Sequence, residues 1–158
     1  MIKKLKEGII NLIIWFPIIW KDRDWDHQFL YEIIRFKLKR MAKFHRKYGI
    51  SVDADKYAKQ MELCVNLLNR IINDEYLSMV LKKHEEKWGE SKMVFTPCED
   101  DERLLKLDFE VEKAKTEVEK EQETKEKLKL YEHADYLKQQ DLDMLFRTIR
   151  KYIEGWWD

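Results

Sequence analysis

The sequence predicts an all-α protein, a helical bundle with a long, partly solvated antiparallel helical arm. Three observations carry that prediction. Only 4 Gly and 2 Pro interrupt 158 residues, too few punctuators for many short strands. Apolar residues recur at three- and four-residue intervals through most of the chain, the period of a helix with one buried face. A third stretch, Glu119–Lys127, is almost wholly Glu and Lys, which suits a solvated helix held by i,i+4 ion pairs. The length fits one domain with a real core. We divide it into core helices over 1–89, a loop over 90–98, a charged helical arm over 99–131 and a C-terminal helix over 132–158.

The first helix is expected over 2–15, with Ile2, Leu5, Ile9, Leu12 and Ile13 on one face. Pro17 disfavours helical geometry at Phe16 and should end it, leaving Phe16–Trp20 as an extended, buried connection. The stretch Trp15–Asp26 then sets three tryptophans beside Lys21, Asp22, Arg23, Asp24 and Asp26. Asp24 is placed to cap a second helix, with Asp26 in its first turn, where the helix dipole favours an acid. That helix should run from Trp25 to Tyr48 and stop at Gly49. Leu30, Ile34, Leu38, Met41, His45 and Tyr48 form one apolar row, and Phe29, Ile33, Phe36 and Phe44 a second. Arg35, Lys39, Lys43 and Lys47 form a basic stripe, supplemented by Lys37, Arg40 and Arg46.

A third helix follows from Asp53 or Asp55 to about Asp74, with Tyr57, Met61, Cys64, Leu68 and Ile71 inward. Glu75–Trp88 either continues it or bends away, and stops at Gly89. Thr96-Pro97-Cys98-Glu99 has the form of a capping box with proline in the first helical position. From there the arm runs to about Tyr131, with Leu104, Leu107, Val111, Ala114 and Val118 in a heptad-like row. It is either helical throughout or disordered near Gln122–Lys125. The last helix carries Leu137, Leu142, Leu145, Phe146 and Ile149 and ends in Trp156-Trp157-Asp158. Two adjacent tryptophans hide much apolar area when packed, so both are expected to dock.

The total charge is zero, but residues 1–60 carry 14 Lys/Arg against 7 Asp/Glu and residues 61–158 carry 17 against 24. Either the two parts neutralise one another, or the first presents a basic surface to an anion. Two unpatterned cysteines, Cys64 and Cys98, give neither a disulfide framework nor a zinc site. The apolar run Ile9–Ile19 is too short to span a bilayer, and no small-residue cleavage site follows it. A cytosolic chain without stable membrane insertion is expected, with interfacial contact as the lesser alternative.

The strings W-K-D-R-D-W-D at Trp20–Asp26, K-L-K-R-M at Lys37–Met41, A-K-Q-M at Ala58–Met61 and the terminal W-W-D resemble a family of small, functionally uncharacterised tailed-bacteriophage proteins. The resemblance spans the anchors of most of the chain, but not the Glu/Lys arm. It implies residence in a host bacterial cytoplasm and a role in assembly, replication or host takeover. No activity comes with it, so no catalytic residue is carried over.

Trp20 and Trp25 offer stacking faces and Lys21, Arg23 and Arg40 offer phosphate contacts, so these five are the candidate ligand-binding residues for a small anion such as a nucleotide. The bland alternative makes Trp15, Trp20 and Trp25 core and the charges a rim. Asp22, Asp24 and Asp26 alternate and would serve a metal-dependent nucleotide hydrolase, but capping explains them as well. No catalytic residue, metal site or cofactor is assigned. The four histidines lack metal-ligand spacing, and the four glycines are isolated rather than gathered in a phosphate loop. Nucleic acid is the poorer partner, because the acidic arm would compete for the basic stripe. The expectation is therefore a non-enzymatic accessory protein that sequesters a nucleotide-derived host defence signal and self-associates. The alternatives are an assembly or host-takeover interaction protein and the hydrolase.

Overall fold

The computed structural model describes residues 2–23, 25–98 and 104–157. Helix dominates them, as the periodicity predicted, but a small two-stranded sheet interrupts the expected all-α order. The elements are α1 (Ile2–Ile19), α2 (Gln28–Tyr48), α3 (Ala54–Asn73), α4 (Glu75–Trp88), β1 (Ser91–Pro97), β2 (Leu105–Val111) and α5 (Glu117–Tyr152), then a 3-10 turn over Ile153–Gly155. They form two compact units: residues 1–73 with 143–158, and residues 74–142.

In the first unit the core lies between α2 and α3. Ala54, Ala58, Met61, Cys64, Leu68 and Ile71 are buried at helical spacing along α3, and Phe29, Leu38, Ala42 and His45 along α2. Small residues at Ala42, Ala54 and Ala58 let backbones approach. At Gly49, a Cβ would stand 2.5 Å from that of Ala54 and 2.6 Å from the His45 carbonyl oxygen. Gly49 has φ −61°, so close approach requires glycine here, and left-handed backbone does not. Arg46 ties the rim, pairing with Asp55 and, through Nη2 at 2.6 Å, with Glu62. Trp156 is buried and its indole N–H donates to Gln60 Oε1 at 2.9 Å, whereas Trp157 is 75% exposed. Only one of the terminal pair docks.

Several helix ends differ from expectation. Helix α1 runs through Pro17, which lacks the N–H that would bond the Ile13 carbonyl, and the helical backbone continues past it. The Phe16 carbonyl still accepts from Trp20 N–H at 2.9 Å. Phe16–Trp20 is thus an exposed helical end in place of a buried connection. Helix α2 begins at Gln28, whose N–H donates to Asp26 Oδ1 at 2.9 Å. The cap expected of Asp24, and the acids Glu99–Glu102, lie outside the described residues. Leu30, Phe44 and Tyr48, expected inward, are exposed.

In the second unit, Asp74 takes a left-handed conformation (φ 48°), which separates α4 from α3. Helix α4 and the first part of α5 run in opposite directions. Lys138 pairs with Asp74 at 3.0 Å, and Trp88 Nε1 donates to Glu126 Oε2 at 2.8 Å. Tyr76 Oη also donates to the buried Asp141 Oδ2 at 2.6 Å. Strands β1 and β2 form an antiparallel hairpin in the register Met93↔Phe109, Phe95↔Leu107 and Pro97↔Leu105. This overturns the capping box at Thr96–Glu99, since Thr96 and Pro97 are strand, and it overturns the continuous helical arm. Leu105, Leu107, Phe109 and Val111 alternate with Lys106, Asp108 and Glu110, which is the period of a strand. The working capping box stands at Thr116. Glu119 N–H donates to Thr116 Oγ1 at 3.2 Å, and Thr116 N–H returns to Glu119 Oε2 at 2.8 Å. Glu119 also accepts from Lys115 N–H, and these backbone donors hold its carboxyl below the usual range. Residues 119–127 are helical.

Leu68 is fully buried and Leu63, on the same helix, is largely exposed. Leu68→Ala should cost about 2–5 kcal/mol. Leu63→Ala should cost less than about 1 kcal/mol. Urea denaturation of both variants measures the contrast, and equal losses would place the core elsewhere.

Candidate functional site

The five candidate residues divide in the structure. Trp20 and Trp25 are 71% and 83% exposed, so neither is core. Lys21 and Arg23 share that exposed connection between α1 and α2, and Arg23 Nη1 donates to the adjacent Asp22 carbonyl at 2.6 Å. None of these four lines the cavities described below. Arg40 stands apart from them on α2. Its guanidinium lies 6.0 Å from the Trp15 ring and 5.9 Å from the Phe36 ring, and Nη2 donates to Asn11 Oδ1 at 3.3 Å. The two rings meet edge to face at 4.8 Å. Arg40 is therefore held by cation–π contacts and an amide, with its charge not neutralised by a carboxylate among these contacts.

Arg40 lines two open cavities of the first unit. One, of about 300 Å³, is bounded by Lys37, Met41, Phe44, His45, Trp156 and Trp157. The other, of about 450 Å³, runs along Ile14, Phe36, Lys43, Phe44, Lys47 and Tyr48. Helical spacing brings Arg40, Lys43, Phe44 and Lys47 to one side of α2, so cations alternate with exposed aromatic faces. His45 is buried beneath, edge-on to Tyr57 at 5.9 Å, and its Nδ1 has no hydrogen-bond partner. Sequence reasoning identified Arg40 but missed Lys37, Phe44 and Trp157. The basic stripe and the terminal tryptophans were visible separately. Nothing in the sequence joined positions so far apart.

A second polar site, in the other unit, had no sequence signal at all. His84 on α4 and Glu123 on α5 are both buried, with His84 Nε2 and Glu123 Oε1 3.7 Å apart and neither hydrogen-bonded. Lys127 Nζ lies 3.8 Å from the same carboxylate oxygen and 5.3 Å from the Phe109 ring centroid. A cavity of about 230 Å³ opens on the three, walled by Leu81, Met93, Phe109 and Tyr131. A hydrogen-bonding group entering there would meet imidazole and carboxylate together. Cys64 is chemically quiet, since burial pushes its thiol up to about 11. Among the described residues no group of three or more His, Cys, Asp or Glu could hold a metal ion.

Comparison of the chain with known protein families, with curated proteins and with solved structures finds no match.

Two predictions follow from the second unit. Hydrogen bonds from Lys87, Trp88 and Gln122 hold the Glu126 carboxyl down to about 2, against an ordinary 4.5. A depressed carboxyl contributes stability fully above its unfolded value. That contribution should fade as pH falls from about 4.5 toward about 2. Denaturation across this window should show a steeper acid loss for the native chain than for Glu126→Gln; parallel curves would contradict the clasp. Separately, replacing both His84 and Glu123 by Leu should leave stability unchanged or raise it by about 1–4 kcal/mol, because two poorly satisfied buried polar groups are removed. Thermal melts decide it, and a marked loss would make the pair a structural bond.

Proposed function

We propose that this is a non-enzymatic, phage-encoded accessory protein that binds a small anionic ligand in the host bacterial cytoplasm, and that the ligand is a nucleotide-derived defence signal. The observation that supports the reading is Arg40. It is held in place by Trp15, Phe36 and Asn11 and shared by two cavities, with Lys37, Lys43 and Lys47 around it. Fixed guanidinium geometry suits phosphate oxygens, and exposed Phe44 and Trp157 offer flat faces to a base. In this reading Arg40 is the anchor, and the Trp20–Trp25 connection is not the pocket. The phage origin rests on the Trp/Asp strings of the sequence.

A second reading has its own observation. Phe95, Leu105 and Leu107 leave an exposed apolar face on the hairpin, and Trp157 stands in solvent. Such surface favours an assembly or host-takeover protein that engages another chain or self-associates.

Calorimetry against cyclic nucleotides and ADP-ribose derivatives tests the first reading. Binding is expected within one of these classes. Arg40→Ala should weaken it by about 1.5–3 kcal/mol, or roughly ten- to a hundredfold, the range for a lost hydrogen bond to a charged group. Trp25→Ala should leave it unchanged. Silence across the panel, or binding indifferent to Arg40, would remove the proposal; recovery of a host protein in pull-downs would then favour the second reading.

A further inference from the structure

Helix α1 is attached to the protein by a narrow face. Asn11 accepts from Arg40, Trp15 meets Phe36, and Trp15 and Ile18 are the half-buried positions among its described side chains. These three recur at four- and three-residue spacing and so share one face. Leu5, Ile9, Leu12, Ile13, Phe16 and Trp20 recur in the same way on the opposite face. All six are exposed, Leu12 by 72% and Ile13 by 67%. An ordinary surface helix turns its apolar stripe inward and its polar stripe to water. Here the wider apolar stripe is left outside, and an apolar face this continuous marks a docking surface.

Charge and length select the occupant. Exposed Lys3, Lys4 and Lys6 crowd the first turns with Glu7 beside them, whereas Lys21 and Arg23 after the last turn alternate with acids, so the cationic excess lies at the N-terminal end. On neighbouring α2, Lys37, Lys39 and Lys43 make no ion pair among the described residues. A second copy docked through the same face would set this cationic surface against its own image. An anionic lipid surface would attract it. From Leu5 to Ile19 the helix is about 22 Å long at 1.5 Å per residue. Its uncharged part, Gly8–Ile19, covers only about 18 Å, well short of the roughly 30 Å hydrocarbon core. No helix among the described residues is long and apolar enough to cross a membrane. A helix of this kind lies in the plane of the interface. Exposed Trp20 and Trp25 stand at its C-terminal end, and indoles partition to the headgroup level.

We propose that α1 is an in-plane docking helix that carries the protein to the surface of an anionic phospholipid bilayer. The proposal uses the outward face of α1 and does not depend on a ligand at Arg40.

Flotation of the full chain with vesicles tests it, alongside tryptophan emission and light scattering. With vesicles of about seven parts phosphatidylcholine to three parts phosphatidylglycerol, the protein should float and its emission should shift to the blue. With phosphatidylcholine alone it should stay behind. Salt at about 0.5 M should weaken binding at least tenfold by screening. The double substitution Ile9→Glu, Ile13→Glu should abolish flotation, while circular dichroism keeps its native helix signal. Changing Lys3, Lys4 and Lys6 to Gln leaves the apolar face intact and should also weaken binding at least about tenfold, the sum of three lost surface attractions. Absence of flotation on anionic vesicles would overturn the proposal, and so would flotation unaffected by the two glutamates. A vesicle-blind dimer that the two glutamates dissolve would assign the face to a second copy instead.

Discussion

Helices α2 and α3 pack through a seam in which small and large residues alternate, and no other contact in the first unit is as deep. Ala42, Ala54 and Ala58 admit the backbones to close range, and Met61, Cys64 and Leu68 then fill the space completely. Gly49 is part of the same constraint, because any side chain there would collide with Ala54. That seam fixes which side of α2 is left outside. With Leu38, Ala42 and His45 committed inward, helical geometry turns Lys43, Phe44 and Lys47 outward, with Arg40 at the boundary. The cationic, aromatic character of the exposed side is thus a consequence of how the core is satisfied.

The second unit is organised differently, by polar contacts along two facing helices. Tyr76 with Asp141, Lys138 with Asp74, and Trp88 with Glu126 set the register of α4 against α5. Each is a directional bond, so sliding one helix by a turn would break all three. His84 Nε2 and Glu123 Oε1 fall in the same seam without a hydrogen bond, and buried polar atoms left in that condition are uncommon in folded proteins. They mark the place where this unit gives up stability, and a cavity lies over them.

Much of the helical framework was legible in the sequence, because three- and four-residue periodicity is a strong signal over twenty residues. The inward row of α3 is nearly the row that spacing identifies, from Met61 through Ile71. The hairpin was not read, because Leu104, Leu107, Val111, Ala114 and Val118 mimic a heptad row. The strict alternation from Leu105 to Val111 carried the true period. The capping box was misplaced for a related reason. Thr96–Glu99 and Thr116–Glu119 share one pattern, and only tertiary pairing decides that Thr96 belongs to a strand. Proline at position 17 does not end α1, and helical bonding resumes past it where Trp20 N–H donates to the Phe16 carbonyl. At the candidate site Arg40 was visible as part of a basic stripe. The contribution of Trp157 was not, because the approach of a chain terminus to α2 is a long-range fact. Burial was expected of Trp20 within the Phe16–Trp20 connection and was only the alternative for Trp25; both are exposed, since they stand past the end of α1.

A helix held to the protein through Asn11 and Trp15, with its wider apolar face outside, shares little of the core that stabilises its neighbours. Amide hydrogen exchange on the lipid-free, monomeric chain tests that division of stability most directly. Amides of Met61–Leu68 should open only with global unfolding, and those of Ile9–Ile14 should exchange at least about a thousandfold faster, the signature of local opening with little buried contact. Protection of Ile9–Ile14 equal to that of α3 would contradict the account, because it would mean that the apolar face of α1 is already buried in the isolated protein.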